Sequence, residues 1–272
     1  MAVQAGDARP APLLPPLVDS HVHLQDPHYA GRVDDLVARA AAAGVPWLVS
    51  NASRPGDWES VAGHARRFPG VVPCFGIHPW FAVEAAGDWE ERLAGMLGSI
   101  PSGVGEIGID PLHDRGTADL QHEVFVRQLD LARAGALPAT IHCAGAWGRL
   151  LEILQRAPRP GRFLLHAYGG PAELVKPLAA MGAWFSFGGA CLGPNRLKTR
   201  RALPAIPADR MLLETDSPGG HQGGEATAGR HVEPAELPDI CREMARFLGR
   251  DEGELRSRLW DNARQLFGGL VG

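Results

Sequence analysis

RMLLETDSP, residues 210–218, opens on an apolar run too short for a helix and closes on four polar residues before a proline. This is the profile of a buried strand that carries chemical groups at its C-terminal end. Seven earlier segments share it: LVDSHVHL from Leu17, VPWLVSNA from Val45, VVPCFGIHP from Val71, GVGEIGID from Gly103, LPATIHC from Leu137, RFLLHAYG from Arg162 and AWFSFGG from Ala183. Each begins apolar and ends in polar or small residues.

Between the strands lie stretches such as GRVDDLVARAAAAG (31–44) and TADLQHEVFVRQLDLARAG (117–135), with apolar residues at helical spacing and a closing glycine. Two further helical patterns, EPAELPDICREMARFLGR and DEGELRSRLWDNARQLFG, end the chain. Eight βα units in series predict an α/β fold, a TIM-like (β/α)8 barrel. The 272 residues, 45% of them apolar, suit one such domain over residues 17–272. Residues 1–16, interrupted by prolines and lacking a basic start followed by an apolar run, read as a flexible N-terminal tail without a signal peptide.

Nowhere does the chain approach the roughly 18 uninterrupted apolar residues of a membrane span. A net charge of −4 excludes a protein whose main task is to coat nucleic acid, because that requires many clustered cations. The local run of Arg196, Lys198, Arg200 and Arg201 is read as a solvated helix face. Cys74, Cys143, Cys191 and Cys241 are scattered, with neither a zinc-ribbon spacing nor a disulfide framework. A cytoplasmic protein without membrane association is expected, with a monomer favoured.

In a parallel barrel the C-terminal strand ends converge on one rim, where catalytic residues gather. There His21 and His23, one residue apart on the first strand, would face the same side and grip one ion. Glu106, between Gly105 and Gly108, has two oxygens with which to bridge two cations. His142 and His166, ending adjacent strands, suit a second ion. Asp216 would meet the first strand where the barrel closes, there to bind metal and accept a proton from water. Glu214 is its competitor, or else a support for its neighbours from inside the barrel. Four imidazoles and two carboxylates suit zinc, manganese, iron, cobalt or nickel, with magnesium possible if water fills the shell.

Taken together, DSHVHL, GIHPW, GEIGID, PATIHC, LLHAYGG, WFSFGG, LLETDSP and NARQLFG resemble the TatD-like metal-dependent deoxyribonucleases of the amidohydrolase superfamily, almost end to end. The resemblance implies a TIM barrel that hydrolyses phosphodiester bonds, in DNA or a small phosphodiester, with two divalent ions. It assigns His21, His23 and Asp216 to one ion, His142 and His166 to the other, and Glu106 to both, with Glu106 and Asp216 as the catalytic carboxylates. It places His78 near the substrate phosphate or behind the ligands, and Arg230, His231 and Glu233 as substrate contacts, while Glu233 and Pro234 could equally start a helix. The chain departs from the family where an arginine and an aspartate usually follow the fifth-strand histidine, since it reads His142-Cys143-Ala144-Gly145-Ala146. Pro111 replaces a common tyrosine, and a glycine-rich loop expected to be mobile follows Pro218. Two alternatives remain open: hydrolysis of a small amide, ester or lactone, and metal binding without catalysis.

Overall fold

The computed structural model describes residues 14–219 and 231–272. The tail up to residue 13, the glycine-rich loop and Arg230 lie outside the described residues.

The eight predicted strands all form: β1 Val18–Val22, β2 Trp47–Asn51, β3 Val71–Phe75, β4 Gly103–Ile109, β5 Ala139–Cys143, β6 Phe163–Leu165, β7 Ala183–Phe187 and β8 Met211–Leu213. They pair in chain order, every ladder parallel. The helices between them are α1 Val33–Ala42, α2 Trp58–Arg67, α3 Trp89–Ser99, α4 Ala118–Ala134, α5 Trp147–Arg156, α6 Val175–Ala180 and α7 Leu197–Ala202. Then α8 Leu237–Leu248 and α9 Glu252–Phe267 complete the ring. Strands of three to seven residues, fully buried or nearly so, read as apolar runs because both faces are covered. This is the predicted (β/α)8 barrel.

Beyond β8 the barrel shuts through a bridge between Val22 and Ser217, flanked by hydrogen bonds from Asp216 N to His21 O (3.0 Å) and from His23 N to Ser217 O (2.8 Å). Side chains reinforce this seam. Asp19 accepts from Thr215 N at 2.9 Å and from Thr215 Oγ1 at 2.5 Å, and Ser20 Oγ donates to Leu213 O at 2.9 Å.

At the opposite end, Val18, Val49, Val72, Leu164, Trp184 and Leu212 pack with Leu266 and Phe267 of α9. The apolar strand beginnings are thus spent on packing, and the polar strand ends are left for the rim. The basic run behaves as expected of a helix face: Arg196, Lys198 and Arg201 are exposed, and the Arg200 guanidinium lies 5.4 Å from the centre of the Phe247 ring. Among the described residues no helix is long and apolar enough to cross a membrane.

Candidate metal centre

Two of the eight strands lose regular register just where they carry candidate ligands: β1 between Asp19 and Val22, and β4 between Val104 and Ile107. Such irregularities turn side chains off the regular pleat, here His21 and Glu106. The glycines flanking Glu106 have no room for a side chain. A Cβ at Gly105 would lie 2.7 Å from Asn51 Oδ1, and one at Gly108 (φ +149°) would lie 2.0 Å from His142 O.

Glu106 is buried, and its two oxygens face different imidazoles. Oε2 lies 3.3 Å from His21 Nε2 and 3.4 Å from His23 Nε2. Oε1 lies 2.8 Å from His166 Nε2 and 3.1 Å from His142 Nδ1. Asp216 Oδ1 stands 3.7 Å and 3.9 Å from the Nε2 atoms of His21 and His23. The six residues expected to hold metal are therefore brought to one place. Asp216 sits at φ +54°, a left-handed conformation that aspartate tolerates better than most residues and that costs on the order of 1–3 kcal/mol. Backbone hydrogen bonds on either side, Asp216 N to His21 O and Gly219 N to Asp216 O, hold it there.

Outer partners set which imidazole nitrogen carries a lone pair. His23 Nδ1 lies 2.8 Å from the carbonyl oxygen of Asn51, which only accepts, so Nδ1 is protonated and Nε2 offers its lone pair inward. His142 is the mirror case. Its Nε2 lies 3.3 Å from Asp110 Oδ2, leaving Nδ1 to face the centre.

His78 lies behind Glu106, with Nε2 3.3 Å from Glu106 Oε1. Its Nδ1 accepts from Trp80 N at 3.2 Å, so Nε2 bears the proton and donates to the carboxylate. Although His78, Glu106 and His142 cluster tightly enough to hold an ion, that tautomer makes His78 a hydrogen-bond donor. Burial lowers its pKa to about 4, outweighing the opposing pull of Glu106, and keeps the ring neutral.

Glu214 also clusters with His21 and His166. Its oxygens are already engaged: Oε1 accepts from Ala167 N at 2.7 Å and Oε2 from Ser186 Oγ at 2.5 Å. The supporting role, rather than that of a competing ligand, fits these bonds. His166 Nδ1 lies 3.7 Å from Glu214 Oε1, beyond hydrogen-bond length.

The donor set suits divalent cations. Burial by itself would raise the Glu106 carboxyl, yet His78, His166 and His21 outweigh it and hold the group well below the usual carboxylate range. Burial likewise opposes protonation of His166, yet Glu106 and Glu214 lift it well above the ordinary imidazole value. Among the described residues no lysine or arginine pairs with Glu106; the charge of its carboxylate is faced by imidazoles alone. His21 Nε2 and His23 Nε2 lie 3.0 Å apart, as do His142 Nδ1 and His166 Nε2 at 3.1 Å, and each pair flanks one oxygen of Glu106.

The rim residues fare differently. His231 is exposed and lies against His28, with ring centres 3.6 Å apart and planes tilted by 34°. Glu233 turns away from the centre: it pairs with both Arg39 Nε and Nη2 and forms a reciprocal cap with Glu236 at the entry to α8. The helix-start reading therefore accounts for Glu233. Sequence reading missed Asp110 and Trp80, although Asp110 ends the same GEIGID segment as Glu106. Asp110 Oδ2 accepts from Trp80 Nε1 at 2.6 Å as well as facing His142, and these hydrogen bonds outweigh burial to lower its pKa to about 2.

A family model described as TatD related DNase matches residues 18–268. The chain is 32% identical over 244 residues to the 3'-5' ssDNA/RNA exonuclease TatD of Cronobacter sakazakii, covering 86% of this chain and 91% of that protein. It is 30% identical to the protein of the same name from Escherichia fergusonii, covering 93% and 99%. Among solved structures, the TatD homologue YJJV from Escherichia coli superposes with a TM-score of 0.84 at 26% identity, over 92% of this chain and 97% of that one. With a closed eight-stranded barrel and a match running through every strand, the chain belongs to the TatD related DNase family.

Proposed function

We propose that this chain is a metal-dependent phosphodiester hydrolase that removes nucleotides from single-stranded nucleic acid, using two divalent ions such as magnesium, manganese or zinc. The observation that carries the reading is the division of Glu106, with one oxygen toward His21 and His23 and the other toward His142 and His166. In this reading the first pair and Asp216 hold one ion, the second pair holds the other, and Glu106 joins them. When bound, the cations would supply the Lewis acidity that acidifies a water and draws charge from the scissile phosphoryl group.

The protein's own groups do the rest. Asp216, with its side chain 20% exposed, stands at the mouth of the cluster, where it takes the proton of the attacking water. His78 donates its Nε2 proton to Glu106 and fixes the turn of that carboxylate. Asn51 O and Asp110 hold His23 and His142 in the tautomers that aim lone pairs inward. The substrate class follows from the names of the relatives, which are 3'-5' exonucleases of single-stranded DNA and RNA. Residues 17–272 act as one hydrolase domain, and the four unpaired cysteines support a reducing cytoplasmic setting.

Asp216→Asn tests the reading. It keeps the size of the side chain and removes the base, so turnover of a single-stranded oligonucleotide should fall by at least about 100-fold. Unchanged turnover would remove Asp216 from the chemistry. A second reading, hydrolysis of a small ester or lactone, draws support from the segment Cys143-Ala144-Gly145-Ala146, which offers no cation for a nucleic-acid phosphate. Turnover of an ester panel by protein inert on oligonucleotides would select it.

A further inference from the structure

The rim beside His142 carries an aromatic stack. Trp80 and His113 stack with ring centres 4.6 Å apart and planes at 20°. The Trp80 ring stands 5.0 Å from His78 and 6.5 Å from His142. His113 is exposed. One carboxylate ties this stack to the metal centre. Asp110 Oδ2 accepts from Trp80 Nε1 and faces His142 Nε2, while Oδ1 accepts from the backbone N–H of Leu112 (3.1 Å) and His113 (3.2 Å). Gln121 of α4 in turn clamps the Asp110 backbone, its Oε1 2.8 Å from Asp110 N. The stack is therefore placed relative to the candidate ligands by a built network.

Beside it, Leu112 is 68% exposed and lies over Gly145, where a Cβ would come within 2.6 Å of Leu112 Cγ. Position 145, at φ +67°, disfavours any side chain by its backbone conformation, and with Leu112 over it the wall there is apolar and aromatic. Flat π faces next to a phosphodiester-cleaving centre suit a flat ligand, since every nucleobase has a π face and stacking is indifferent to its identity.

We propose that the Trp80–His113 stack is the nucleobase subsite, in which the base of a nucleotide flanking the scissile phosphate lies on the outward face of His113. The proposal rests on the phosphodiesterase reading and names how that site grips its substrate. It makes binding on this side depend on stacking, with little preference among the four bases.

The test uses metal-loaded enzyme and single-stranded oligonucleotides that carry either a normal base or an abasic sugar at the terminal or penultimate position. Wild type should prefer the base-bearing substrate in kcat/KM, mainly through KM. His113→Ala should shrink that preference by about 5- to 10-fold, on the scale of one base–aromatic stack, and His113→Phe should restore it. Trp80→Leu, which removes the support behind His113, should shrink it as well. If wild type cleaves oligonucleotides but the preference is absent, or survives His113→Ala unchanged, the base subsite is wrong while the phosphodiesterase reading stands. If wild type cleaves no oligonucleotide, the underlying reading fails and the subsite with it.

Discussion

The backbone N–H of Asp216 donates to the carbonyl oxygen of His21 over 3.0 Å, so the hydrogen bond that shuts the barrel also fixes a carboxylate beside an imidazole of the metal centre. Fold closure and the placing of Asp216 thus share one hydrogen bond. Asp19 guards the same seam by accepting two hydrogen bonds from Thr215. Asp19→Ala would leave two buried donors without an acceptor, at about 1–3 kcal/mol for each orphaned group. Urea unfolding of metal-free protein should show that loss, and a variant as stable as wild type would mean the seam is held elsewhere.

Asp110 should govern one ion more than the other. Its carboxylate orients His142 but touches none of His21, His23 or Asp216. Loss of such an outer hydrogen bond typically weakens metal binding by about 10- to 100-fold. Titration of Asp110→Asn against a chelator of known affinity should give one weakened and one unchanged site. Equal weakening of both would deny the division of ligands between two ions.

The loop that follows Asp216 returns to the barrel at Val232, whose carbonyl accepts from Ser217 Oγ at 2.8 Å and from Tyr29 OH at 3.0 Å. Burial pushes the Tyr29 hydroxyl up to about 12, and it raises Tyr168 too. Because the folded pKa lies above the unfolded value near 10, this contribution to stability is intact below pH 10 and is lost as pH rises through 12. The chain has two tyrosines. Absorbance at 295 nm should therefore show no phenolate step near pH 10 in the native protein, and a two-tyrosine step there after denaturation. Tyr29→Phe removes a hydroxyl bonded to both Ser217 Oγ and the Val232 carbonyl, and should cost about 1–3 kcal/mol and flatten the alkaline loss of stability.

The barrel was readable because each strand changes character along its length, apolar where it packs and polar where it reaches the rim. The convergence of His21, His23, Glu106, His142, His166 and Asp216 followed from that polarity and from parallel pairing. The supporting contacts were harder to read. His78 was expected near a phosphate or behind the ligands, and what sets its role is the N–H of Trp80, which fixes its tautomer as a donor to Glu106. That depends on the turn of one 3-10 segment and leaves no periodic mark in the sequence. Asp110 was passed over because its partners come from three separate segments, and the irregular register of β4 re-aims what a plain two-residue alternation would predict.

The most direct test of the shared two-ion centre is cleavage of 3'-labelled and 5'-labelled single-stranded oligonucleotides by metal-stripped protein refilled with magnesium, manganese or zinc, run beside Glu106→Ala with bound metal counted in both. The account predicts two ions per chain, cleavage from the 3' end that requires them, and a loss on the order of 10³-fold in Glu106→Ala, several kcal/mol of charge stabilisation, together with loss of bound metal. A wild-type protein that holds two ions and leaves every oligonucleotide intact, or a Glu106→Ala variant that binds two ions and cleaves as well as wild type, would contradict it.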